Sequence, residues 1–274
     1  VAEAARLPGG WQLLVASRRG RLHAHRGAHR EDAAAWRATA DAWCVAIADG
    51  AGSAPYSRVG AHVAVSQAVH AAADALSRPG VSPAEALAQG ARAAQQALHA
   101  LAETAPCAPR ALRTTLLAVA GRGAQVALMQ VGDGAMVCRG ASGTVRQPVG
   151  GHAGDFSGEV SHFLPDPGAL DALLASIVEV PPADATVLLL ATDGVEDPWY
   201  PLPRTAPGLL ASLAGEAPPA GTMPNGLTLT ATASPGGVLA AGDPAAALTA
   251  WLGFEKRGEN DDRTLALLRA PGSG

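Results

Sequence analysis

Short apolar runs of strand length, cut by Gly, Asp and Pro, recur along this chain and set what it can fold into. They predict strands over Trp11–Ala16, Trp43–Ala48, Thr115–Ala120, Ala124–Val131, Ala135–Arg139, Val160–Leu164, Thr186–Thr192 and Arg263–Arg269. Two longer stretches between the second and third runs have helical spacing instead. Val65, Val69, Ala72 and Leu76 form one apolar stripe; Ala84, Leu87, Ala91, Ala94, Leu98 and Leu101 form the other. Such stripes are made to lie on a flat surface. Ser82-Pro83 supplies a cap and a first-turn proline for the second helix, and Asp243-Pro244 opens a later helix reaching Trp251. Strands, two helices, a run of strands, a late helix and a strand do not make a regular βαβ alternation. The order predicts an α+β fold with largely antiparallel sheets covered by helices.

The 274 residues are 48% hydrophobic and 16% charged, enough to build a real core. No internal repeat or domain boundary is evident, so one domain over residues 1–274 is expected. The Ala-, Pro-, Gly- and Thr-rich stretch at about 201–242 reads as an insertion or flap of low local order. A formal net charge of -4 argues against a nucleic-acid partner. No apolar stretch is long enough for a membrane helix, and Val1 to Gly10 do not read as a signal peptide. The three cysteines form no CxxC pair; Cys44 and Cys138 read as small core residues, and a cytoplasmic location fits.

The acids carry the chemistry. Asp49-Gly50 follows the apolar run CVAIA, Asp133 follows ALMQVG, and Asp193-Gly194 follows VLLLAT. Asp261-Asp262 precedes RTLALLR, and Glu31-Asp32 sits just before a strand. One Asp-Gly after a strand is an ordinary turn. Several acids leaving the core, with Lys256 the only lysine in the chain, are harder to read as turns. Carboxylates brought together repel, and ionising them together needs a cation. Oxygen donors without His or Cys select Mg²⁺ or Mn²⁺ over zinc.

In order and spacing these acids resemble the metal-dependent serine/threonine protein phosphatases of type 2C, in a divergent bacterial branch. The blocks are Arg30-Glu31-Asp32-Ala33, Ala48-Asp49-Gly50-Ala51-Gly52, Val131-Gly132-Asp133-Gly134, Thr192-Asp193-Gly194-Val195-Glu196-Asp197 and Asn260-Asp261-Asp262-Arg263-Thr264. Thr114-Thr115 also fits the family's Gly-Thr-Thr stretch. The resemblance spans roughly residues 17–269. It implies a four-layer αββα sandwich: two stacked, mainly antiparallel sheets flanked by pairs of helices.

The resemblance also implies roles. Asp49 bridges two Mg²⁺ or Mn²⁺ ions, the Gly50 carbonyl assists, and Asp193 and Asp261 complete the first ion. Glu31 and Asp32 hold waters at the second ion. Asp133, Asp193 and Asp197 fit a third. The implied reaction is hydrolysis of phosphoserine or phosphothreonine in proteins by a metal-bridging water or hydroxide, with no phosphoenzyme. The implied partners are a phosphoprotein and a cognate Ser/Thr kinase, with no nucleic acid and no membrane. The family's phosphate-clamping arginine falls here at Gly27; Arg26 is the preferred substitute and Arg30 the second. Asp262 stands where the family has Asn, so Asp261 and Asp262 could exchange roles. Glu196 is expected to face solvent, and His152, Asp155 and His162 to be loop and strand-face groups. Two other readings stand beside the leading one: a phosphatase-like binding or sensor module, and a metal-dependent phosphohydrolase of small phosphoesters.

Overall fold

The structure, a computed structural model, describes residues 2–149, 162–231 and 236–272. Its strands are β1 (Ala2–Arg6), β2 (Gln12–Arg18), β3 (Ala33–Ala38), β4 (Ala42–Ala48), β5 (Leu116–Arg122), β6 (Gln125–Val131), β7 (Ala135–Arg139), β8 (Val145–Arg146), β9 (Val178–Val180), β10 (Val187–Ala191), β11 (Leu227–Thr228), β12 (Glu255–Lys256) and β13 (Arg263–Arg269). Its helices are α1 (Arg21–His25), α2 (Ser57–Leu76), α3 (Pro83–Thr104), α4 (Ala169–Ala175), α5 (Asp193–Glu196), α6 (Leu202–Ala214) and α7 (Pro244–Trp251). His152, Asp155 and the start of the strand expected over Val160–Leu164 lie outside the described residues.

One sheet runs β1-β2-β13-β10-β7-β8 and the other β3-β4-β5-β6-β9. Every pairing in both is antiparallel. The strand period of two explains the unbroken apolar runs. In β4, Trp43, Val45 and Ile47 face the other sheet, packing with Leu13, Val15, Leu188 and Leu190. Cys44, Ala46 and Ala48 face the opposite way, onto α2 and α3. In β10, Leu188 and Leu190 join the layer between the sheets, while Val187, Leu189 and Ala191 face α6 and α7. Each central strand is therefore buried on both sides, and the layers read αββα.

The α2 and α3 stripes face the core: Val65, Val69, Ala72, Leu76, Leu87, Ala91, Ala94 and Leu98 are buried, while Ala84 and Leu101 at the ends of the second stripe are half-buried. Ser82 and Glu85 close a capping box at the start of α3. Among the elements that escaped the sequence reading are β1, β3 and α6. β1 (AEAAR) and β3 (AAAWRA) are rich in Ala, which has little strand preference; pairing with β2 and β4 makes them strands. α6 lies inside the stretch expected to have low local order. Pro203, Pro207 and Gly208 read as breakers there, yet Leu202, Ala206, Leu209, Leu210 and Leu213 make a stripe buried on the first sheet. Among the described residues no helix is long and apolar enough to cross a membrane.

Candidate metal centre

Strand register brings the acids to one end of the sandwich. Ala33 pairs with Ala48, so Asp32, entering β3, stands level with Asp49, leaving β4. Ala191 pairs with Leu265 on one side and Ala135 on the other. That sets Asp193 beside both Asp261-Asp262 and Asp133. Carboxylate oxygens of Asp49, Asp133 and Asp193 all lie within 4.8 Å of one another. His23, Asp261 and Asp262 form a second group with ligand atoms equally close. The charge of Asp261 acts on Asp49, Asp133 and Asp193, so the two groups adjoin through it.

The acids raise one another's affinity for protons. Burial, then the charges of Asp193 and Asp32, pushes Asp49 well above the usual carboxylate range. Burial and the charges of Asp133 and Asp261 do the same to Asp193. Asp133 is pushed up to about 6 by burial and by Asp197 and Asp261. Asp32, fully buried, rises to about 6, chiefly by burial. Glu196 does not face solvent as expected: it is half-buried, and burial with the charges of Asp197 and Asp133 raises it to about 7. Asp197 is more exposed and is also raised, by burial and then by Glu259 and Asp261.

Hydroxyl groups fix these acids in place. Thr192 donates to Asp32 Oδ2 at 3.0 Å, and the Thr264 amide donates to Thr192 Oγ1 at 3.0 Å. Ser17 Oγ lies 2.5 Å from Thr264 Oγ1 behind them. The Asp49 amide donates to Thr115 Oγ1 at 2.8 Å, while Thr114 Oγ1 donates to the Asp49 carbonyl at 2.7 Å. Gly50 is buried and bridges to Thr114. Gly194 meets the acidic turn backbone to backbone: a Cβ there would fall 1.9 Å from the Asp262 carbonyl oxygen. Sequence reasoning missed Thr192 and Ser17. For Thr192 the available signal was its place directly before the Asp193 block; Ser17 has no acid near it in the sequence.

Asp261 and Asp262 are neighbours with different surroundings. Asp261 is exposed and Asp262 is 1% exposed. Asp262 Oδ1 accepts from the Gly20 amide at 2.6 Å, and Oδ2 from the Glu31 amide at 2.6 Å. Of the pair, Asp261 is the one left facing the other acids. The arginines also separate. Arg30 gives its guanidinium to the carbonyls of Asp32, at 3.0 Å, and Ser17, at 3.3 Å. Arg26 is exposed where α1 ends. Glu31 is half-buried.

The donor set fits hard divalent cations. It is all oxygen at the strand ends, the acids are too close to ionise together unaided, and Asp32 Oδ1 is buried without a hydrogen-bond partner. Fold and site together define a metal-dependent phosphohydrolase built on an αββα sandwich. The sequence profile described as Protein phosphatase 2C matches residues 19–220, most of the chain, and the chain belongs to that family. Among solved structures, it resembles the Mycobacterium tuberculosis serine/threonine phosphatase PstP/Ppp at 17% identity and TM-score 0.58, over 94% of this chain and 98% of that one. The catalytic domain of PstP in complex with two manganese ions is similar at 18% identity and TM-score 0.56, over 94% and 97%. A bacterial serine phosphatase is similar at 16% identity and TM-score 0.64, over 95% and 98%. At these identities the likeness is one of fold. No curated protein sequence matches the chain.

Proposed function

We propose that this protein removes phosphate from phosphoserine and phosphothreonine in proteins, and that its strand-end acids hold the ions for that reaction. The carrying observation is the convergence of Asp49, Asp133 and Asp193 within 4.8 Å in a chain of the protein phosphatase 2C family. Asp49, the Gly50 carbonyl, Asp193 and Asp261 hold Mg²⁺ or Mn²⁺; Asp133, Asp193 and Asp197 suit a further ion. Bound cations would let these acids ionise together and supply a Lewis acid and an activated water.

The chain's own groups do the rest. Glu31 and Asp32 accept hydrogen bonds from water at the centre, with Asp32 held by Thr192. The free fork of Arg26 takes the substrate phosphate, because Arg30 is already committed to backbone carbonyls. Water adds to phosphorus, the P–O bond to the Ser or Thr oxygen breaks, and that oxygen takes up a proton. No nucleophilic side chain is needed. A cognate Ser/Thr kinase as partner and a cytoplasmic location complete the reading.

The test is release of phosphate from a phosphothreonine peptide with Mn²⁺, with and without chelator. Turnover that survives chelation, or survives Asp193→Asn, overturns the proposal. Faster hydrolysis of nucleotides than of peptides would point to small phosphoesters instead.

A further inference from the structure

The segment from Gly20 to Glu31 is fastened at both ends by a single side chain. Asp262 accepts the Gly20 amide through Oδ1 and the Glu31 amide through Oδ2, each at 2.6 Å. Between those anchors, His23 Nδ1 lies 3.0 Å from Asp262 Oδ2. The start of the segment also lies flat on the acidic turn: the Leu22 amide donates to the Asn260 carbonyl at 3.1 Å. A Cβ on Gly20 would fall 2.4 Å from the Asn260 oxygen, so only glycine allows this approach. Its other ties run through exposed or half-buried arginines: Arg21 to Glu255, Arg19 to the Ala28 carbonyl, and Arg30 to the carbonyls of Ser17 and Asp32. α1 is five residues long and none of them is buried.

We propose that Asp262 is a positioning residue: it closes the Gly20–Glu31 segment over the metal centre and so places Arg26 for substrate phosphate, with His23 as a third contact. This rests on the phosphatase reading above. A carboxylate suits the task because it accepts two N–H groups at once, whereas an amide offers one oxygen and turns an NH₂ toward the other donor. Asp261 and Asp262 then divide the work: one faces the cations, and the next holds the wall that receives the substrate.

The experiment compares the full chain with Asp262→Ala, Asp262→Asn, His23→Ala and Asp261→Asn. Asp262→Ala should raise KM for a phosphothreonine peptide about tenfold with kcat within about threefold, as loss of ground-state positioning does. Amide exchange across residues 20–31 should quicken in parallel. Asp262→Asn should fall between wild type and Ala, and His23→Ala should raise KM about threefold. Asp261→Asn should do the reverse, weakening Mn²⁺ binding with segment exchange unchanged. If Asp262→Ala does not fold, Asp262→Asn and His23→Ala decide. A fall in kcat with KM unchanged, or faster exchange with KM unchanged, overturns the proposal. Should the wild type show no cation-dependent turnover, the phosphatase reading fails by itself. Peptide affinity and segment exchange in the same variants then still decide whether Asp262 positions the segment: unchanged values overturn it.

Discussion

The strand-end acids and the Gly20–Glu31 segment meet at the Asp261-Asp262 turn but are built in different ways. Asp49 leaves β4, which is paired on both sides and buried on both faces; Asp193 leaves β10, which is the same. Such strands cannot shift without moving the core, so they can hold like charges against their own repulsion. The segment buries none of α1 and hangs on a few hydrogen bonds. In the proposed function, rigid elements carry the groups that repel, and a lightly held element carries the groups that meet a variable substrate. Gly27 at the arginine position, one of the departures from the family pattern, also falls on the lightly held side; a Cβ there would touch nothing within 4 Å.

The largest effect should come from breaking the rigid side. Asp193→Asn removes a charge shared by the whole cluster while keeping its shape. kcat with Mn²⁺ should fall by about 10³-fold, roughly 4 kcal/mol, with the protein still folded. Stopped assays and circular dichroism together check this. A variant within tenfold of wild type would mean that the strand-end acids are not the centre.

The next effect tests the repulsion itself. Asp32 has a folded-state pKa of about 6, above its ordinary value near 4. A raised carboxyl pKa means the folded state binds more protons than the unfolded state in that window. Stability of the cation-free protein should therefore fall as pH rises from about 4 to 6, and Glu196 extends the decline toward 7. Asp32 alone contributes at most about 3 kcal/mol to this loss. Mn²⁺ should reverse it, so the Tm gain on adding Mn²⁺ should be larger at pH 8 than at pH 5.5. Thermal unfolding across pH, with and without Mn²⁺, measures both. An equal gain at the two pH values would sink the account of mutually repelling acids.

The same contrast governs what could be read from sequence. The central strands were legible because burial on both faces leaves unbroken apolar runs, as in Trp43–Ala48 and Val187–Ala191. The acids were legible because each sits at the end of such a run. β1 and β3 were not, since their Ala-rich sequences become strands only by pairing with the strand that follows each in the chain. α6 was hidden by its prolines. The distinct duties of Asp261 and Asp262 could not be read from their order, because both anchors of Asp262 come from residues over 200 positions away.

The smallest effects fall on the lightly held side, where two nearby arginines should behave differently. Arg26 is exposed at the end of α1, so its loss should spare stability and raise KM for phosphopeptide about tenfold, or roughly 1.4 kcal/mol. Arg30 is bound to the carbonyls of Asp32 and Ser17, joining the segment to the ends of both sheets. Arg30→Ala should instead cost about 1–2 kcal/mol of stability, the usual worth of charge-assisted bonds at a half-buried site. Its effect on KM should be smaller than that of Arg26→Ala. Denaturant melts and steady-state kinetics on the two variants separate the roles. If Arg30→Ala raised KM more than Arg26→Ala while leaving stability intact, Arg30 would be the phosphate ligand. The line between the two regions would then run through residue 30 rather than beyond it.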